Sequence, residues 1–213
     1  MRFDRAACRT GKPSFLSSVA DAMAIPCRDV GEARSPHEFP CFVKREDNMD
    51  LVTGLAVVIG IMGGIATWAA ITIGNPYLLI WAVFVGWGSF YHCGGKEAGF
   101  KNSAVANLWG AICAAGALIA LTSIGVTAIM AGICVGISII VLILAAKLPL
   151  LSAIPSAVYG YATTAALFLL AAAAYGEGAG GIIKVAAAVV ISLIIGNILG
   201  YVSEKVTGAV VKA

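Results

Sequence analysis

From Met49 to the last residue the chain runs 165 residues with only ten charged side chains. Soluble domains carry about 25% charged residues, and a water-soluble protein of this length needs that polar surface to cover itself. This stretch has too little of it. Residues 49–213 therefore read as a membrane domain, consistent with a chain that is 60% hydrophobic and 12% charged overall.

A bilayer core takes about 20 apolar residues per helix. Six runs meet or approach that length: Leu51 to Gly74, Tyr77 to His92, Ser103 to Ser123, Val126 to Ala146, Leu150 to Tyr175 and Ile182 to Val202. Turn-forming sequences separate them, among them Gly74-Asn75-Pro76, "CGGKEAGFKN" and "GEGAGG". No run alternates apolar and polar residues, so a transmembrane barrel does not fit. The expectation is an all-α polytopic membrane protein with six transmembrane helices.

The first 48 residues differ in kind. They hold eight of the fourteen Lys/Arg and seven of the eleven Asp/Glu, with four prolines and no sustained period, which reads as disorder. The longest apolar stretch, from Phe15 to Pro26, is broken by Asp21 and makes a poor signal-peptide core. Arg45-Glu46-Asp47 is encodable by a purine-rich ribosome-binding run just upstream of Met49. The expectation is therefore a non-native extension with translation starting at Met49; the rival is a cytoplasmic tail that binds a partner.

Lysines set the orientation. Lys44 precedes the first run, Lys96 and Lys101 follow the second, Lys147 the fourth, and Lys205 and Lys212 the sixth. Basic residues in short loops mark the cytoplasmic side, which places both termini inside. Small residues four apart let membrane helices approach closely. Gly60/Gly64, Gly132/Gly136 and Gly196/Gly200 have that spacing, and Ala106/Gly110 and Ser156/Gly160 give weaker versions. With so many small faces, some seams are expected between subunits, as in a homo-oligomer.

"GIMGGIAT" (60–67) resembles "GICVGISI" (132–139), and "VGWGS" (85–89) resembles "YGYAT" (159–163). Offsets of 72 and 74 raise an inverted repeat of three plus three spans, a plan common among transporters. Asn107 and Asn197, 90 apart and at the same depth, are not repeat mates.

The polar residues gather toward the inner half. Trp87, Ser89 and His92 lie there on the second run, Tyr159 and Tyr161 on the fifth, and Thr163 and Thr164 nearer the midplane. Asn107 and Asn197 fall about 8–9 Å from the inner edge. The second run is short and the fifth carries Pro155 and Gly160; interrupted spans point to a solute site in such proteins. Trp87, Ser89, His92, Asn107, Tyr161, Thr163 and Asn197 form the candidate solute path. Each has a plainer role: asparagines more often tie helices together, aromatics form interfacial belts, hydroxyls bond their own helix, and His92 at the edge reads as a loop histidine.

The six runs contain no carboxylate or arginine away from their ends. Ion-driven transport usually needs such a group, so the composition favours a small neutral or weakly polar solute. The six cysteines form no CxxC pair, and His92-Cys93 falls short of a metal site. No nucleophile–base pair or paired carboxylates mark an active site. The expectation is no enzyme, no metal, no cofactor and no nucleic-acid partner.

"GIATWAAITIG", "WAVFVGWGSFYHCGGKEAG", "LSAIPSAVYGYATTA" and "IIGNILGYVSEKVTG" together resemble domain-of-unknown-function family 1097, small bacterial inner-membrane proteins, over roughly residues 49–208. The resemblance implies a multi-span helical protein of the bacterial inner membrane and assigns no functional residue. A channel or facilitative transporter is the leading expectation, and a scaffold or accessory subunit without a path is the alternative.

Overall fold

The computed structural model describes residues 51–211; the expectations for residues 1–48 and for Lys212 fall outside them. Six α-helices are present among the described residues: α1 Leu51–Ile73, α2 Ile80–His92, α3 Lys96–Ile124, α4 Ala128–Leu144, α5 Ile154–Ala171 and α6 Gly178–Val210. Five are long and apolar enough to cross a membrane, with α4 and α5 reaching 20 and 21 residues once their terminal 3-10 turns are included. This is a multi-pass α-helical membrane protein.

The second apolar run departs from expectation. Its helix, α2, has 13 residues, about 20 Å against a hydrocarbon core of about 30 Å. The preceding segment is held in a turn. The Asn75 side chain accepts the Tyr77 N–H (2.8 Å), and its carbonyl accepts the Leu78 N–H (3.0 Å). Leu79 is extended. Its N–H donates to Ser192 Oγ on α6 (2.9 Å), which also lies 3.2 Å from the Tyr77 carbonyl. The Tyr175 hydroxyl donates to the Pro76 carbonyl. Side chains from distant parts of the chain thus satisfy backbone groups that no helix satisfies.

The third and sixth helices exceed their apolar runs. Between α2 and α3 the turn is only Cys93–Gly95, with Gly94 and Gly95 at φ +83° and +66°, values that glycine adopts without a Cβ penalty. "KEAGFKN" is already helical, so Lys96 and Lys101 stand on α3 and not in a loop. The cause is an anion at its N-terminus: Glu204 Oε2 of α6 accepts the Lys96 N–H at 2.7 Å, where the helix dipole favours negative charge.

Two tight helix pairs form the centre. In the first, α2 and α6 run parallel: Gly86 sits against the Leu193 carbonyl, Gly196 against Val83 and Trp87 backbone, and Gly200 against Phe90. In the second, α3 and α5 run parallel: Gly160 sits against the Asn107 carbonyl, and Gly110 against Ala157 and Tyr161 backbone. A Cβ at Gly86, Gly110, Gly160 or Gly196 would collide with opposing main chain. The pairs are joined by α3 and α6, antiparallel neighbours along Glu97–Ile119 and Ile183–Tyr201. By contrast, α1 and α4 lie outside, with 17% and 11% of their apolar cores buried against 44% for α6. Gly60, Gly64, Gly132 and Gly136 on these outer helices meet no neighbour.

Candidate functional site

The largest buried polar assembly sits where α2, α3 and α5 meet. Ser103 and Asn107 are one turn apart on α3 and so share a face. Ser89 faces them from α2, and Ser156 from the first turn of α5, next to Pro155. All four are at most 2% exposed.

Three of them close a ring. Ser103 Oγ donates to Ser89 Oγ (2.7 Å), Ser89 Oγ reaches Asn107 Oδ1 (3.2 Å), and Asn107 Nδ2 donates back to Ser103 Oγ (3.4 Å). Ser89 also lies 2.8 Å from Ser156 Oγ, which contacts Cys93 Sγ at 3.2 Å. A hydroxyl has one proton and two lone pairs, so Ser89 cannot donate to Asn107 and Ser156 at once. Its proton goes to one of them at a time, across 2.8 Å to Ser156 or 3.2 Å to Asn107.

The other candidates are placed apart from this ring. Trp87 Nε1 donates to Ser203 Oγ on α6 (3.0 Å), which also bonds the Tyr91 hydroxyl (2.8 Å). The Tyr161 hydroxyl pairs with Ser138 Oγ on α4 (2.8 Å). Thr163 bonds back to the Tyr159 carbonyl (2.6 Å) on its own helix, as its type permits. His92 is exposed at the end of α2, its ring 6.1 Å from that of Tyr159.

Asn197 is fully buried. Its Nδ2 donates to the Leu193 carbonyl (2.8 Å), but its Oδ1 has no partner, a deficit that costs about 1–3 kcal/mol when nothing fills it.

Of seven candidate residues, then, the fold joins Ser89 to Asn107 directly and disperses the rest. Ser103, Ser156, Cys93 and Ser203 were not singled out as site residues. Ser156 reads in sequence as half of a small-residue packing motif, and Ser103 as the first residue of an apolar run. The available signal was the Ser103–Asn107 spacing of four.

Among the described residues, three surface grooves stand out on the bundle. One, of about 470 Å³, is lined by Lys96, Tyr201, Glu204 and Lys205; one of about 250 Å³ by Phe100, Lys101 and Ile198; one of about 480 Å³ lies between the apolar faces of α3 and α6. None is lined by a member of the ring. Among the described residues, no three His, Cys, Asp or Glu side chains come together as a metal site would require.

Helices of this length and composition, packed around buried hydroxyls and an amide, define an integral membrane protein of the multi-pass α-helical class. The chain belongs to the family described as Protein of unknown function (DUF1097), whose model matches residues 56–208. No curated protein and no solved structure matches the chain.

Proposed function

We propose that the domain is a channel or facilitative transporter for a small neutral or weakly polar solute in the bacterial inner membrane. It crosses six times with both termini cytoplasmic, α2 and its satisfied extended lead-in together making the second crossing. The observation that carries this reading is the inverted correspondence of the glycine contacts. Gly86 against Leu193 matches Gly160 against Asn107, and Gly196 against Val83 and Trp87 matches Gly110 against Ala157 and Tyr161. Every match uses an offset of 74 between α2 and α5 and of 86 between α3 and α6. The same offsets separate the starts of α2 and α5, Ile80 and Ile154, and the ends of α3 and α6, Ile124 and Val210.

Counterpart helices run in opposite senses, since α2 is parallel to α6, α6 antiparallel to α3, and α3 parallel to α5. That supports an inverted repeat of α1–α3 and α4–α6, an architecture whose interface commonly holds the solute site. The Ser89–Ser103–Asn107 ring belongs to α2 and α3 of the first half and meets the second half through Ser156 of α5, whose hydroxyl lies 2.8 Å from that of Ser89. The outward Gly60/Gly64 and Gly132/Gly136 faces leave room for close packing of a second copy, which favours a homo-oligomer.

The test is flux from proteoliposomes loaded in turn with neutral solutes, amines and weak acids. Passage above empty vesicles is expected for the neutral class, and none for any class would end the reading. One observation favours a second reading, a scaffold or accessory subunit: the ring satisfies its own hydrogen bonds, and none of the grooves is lined by a ring residue.

A further inference from the structure

The inverted correspondence assigns each residue of the polar site a partner in the opposite half of the bundle. With the two offsets above, Cys93 maps to Leu167, Ser103 to Val189 and Asn107 to Leu193, while Ser89 maps to Thr163 and Ser156 to Ala82. The mapping comes from the glycine contacts alone, yet it picks out residues that also meet. Leu167, Val189 and Leu193 are packed in one buried cluster, at most 4% exposed. Thr163 turns its hydroxyl onto its own helix carbonyls and offers nothing to the interior. The place occupied at one end by three hydroxyls, a thiol and an amide is thus occupied at the other by three branched aliphatic chains, an alanine and a threonine whose hydroxyl is spent on its own helix.

We infer that Leu167, Val189 and Leu193 form the outer half of the solute route, an apolar seal that is the inverted-repeat counterpart of the polar inner site. The inference rests on the passage reading above and narrows it. A solute that crosses must be recognised by hydrogen bonds on one side and shed its water on the other, because the seal offers no polar partner. Ions and strongly hydrated solutes are rejected at Leu193. Small uncharged molecules with one or two hydrogen-bonding groups pass.

The experiment uses the full chain, its native cysteines replaced by serine or alanine, with one cysteine introduced as Leu167→Cys. A small membrane-impermeant thiosulfonate is added from the outer side. With Val189 and Leu193 in place the thiol stays unlabelled. With Val189→Ser and Leu193→Asn, which copy the inner residues onto the outer half, labelling accelerates about ten-fold or more as the thiol becomes accessible. Leu142→Asn, in the separate apolar cluster with Ala106 and Cys113, leaves it slow. Should the polar pair not yield a monodisperse protein, Val189→Ala with Leu193→Ala opens the same place without adding polar groups and gives the same readout.

Labelling with Val189 and Leu193 in place, no acceleration after either pair, or equal acceleration by Leu142→Asn would overturn the seal. Flux measured on the cysteine-free proteins separates the two ideas. If neither passes any solute while the labelling pattern holds, the passage reading falls and the repeat-paired plug stands.

Discussion

Glu204 Oε2, in the last two turns of α6, accepts a hydrogen bond of 2.7 Å from the backbone N–H of Lys96, the first residue of α3. Lys96 is the one non-glycine residue at positive φ among the described residues, at +58°, and left-handed backbone costs a side-chain-bearing residue about 1–2 kcal/mol. The carboxylate holds the strained corner by satisfying an orphan donor and complementing the helix dipole. Glu204→Ala should lower stability by about 0.5–2 kcal/mol, and Glu204→Gln by less, because an acceptor remains. Lys96→Gly should be neutral or stabilising, since it relieves the strain without touching the bond. Thermal unfolding in detergent reads all three; equal losses for Ala and Gln would mean that the charge alone matters.

Glycines of the two parallel pairs should behave unlike those on the outer helices. A methyl group at Gly86, Gly110, Gly160 or Gly196 meets backbone that cannot swing aside as a flexible side chain would, so each Ala substitution should cost about 1–3 kcal/mol or more. Yields of folded protein should fall accordingly. Gly60→Ala and Gly132→Ala meet open space and should leave the folded protomer intact. A homo-oligomer built on those faces would instead show them as a change in assembly by light scattering. Loss of folding at Gly132 equal to that at Gly110 would contradict the arrangement.

Much of this architecture is legible in the sequence, and the illegible parts have physical causes. Ten charges in 165 residues point to a bilayer whatever the fold, and the apolar runs locate the helices because hydropathy and span length are coupled by bilayer thickness. The ends are harder. Nothing in the hydropathy of Tyr77–Leu79 says that they are not helical, because the groups holding this segment are Ser192 and Tyr175, about a hundred residues away. Lys96–Asn102 look like a loop until Glu204 is brought to their N-terminus. Asn107 stands out because an amide in an apolar run demands partners, whereas Ser103 and Ser156 pass as small packing residues. Of the proposed repeat, the offset of 74 is visible in "VGWGS" and "YGYAT"; the offset of 86 is not, because it would set Ser103 and Asn107 against Val189 and Leu193.

Ser192 should matter more than a serine usually does. Its hydroxyl accepts the Leu79 N–H and lies within donating reach of both the Tyr77 and Ala188 carbonyls, at 3.2 and 2.9 Å. Ser192→Ala leaves a part-buried backbone donor without its partner, at a cost of about 1–3 kcal/mol. Hydrogen exchange of the Leu79 amide should speed up selectively, with the middle of α6 unchanged. Uniform acceleration along α6 would assign Ser192 to helix packing and not to the extended segment.

The ring of Ser89, Ser103 and Asn107 allows a test of whether its members act as one unit. Ser89 accepts from Ser103 and donates toward Asn107, so removing it leaves two buried groups short of partners at once. Ser89→Ala and Asn107→Leu should each destabilise. The double substitution should destabilise by less than their sum, with a coupling of about 0.6–1.7 kcal/mol, from the average to the largest value found between membrane-helix hydrogen-bonding partners. Ser156→Ala should couple to Ser89→Ala as well, because their hydroxyls are 2.8 Å apart. Thr163→Ala should couple to neither, since that hydroxyl is spent on the Tyr159 and Gly160 carbonyls. Additive losses at Ser89 and Asn107 would mean that the two side chains are held separately. A Thr163 coupling as large as that of Ser156 would mean that the cluster reaches further along α5 than its hydrogen bonds indicate.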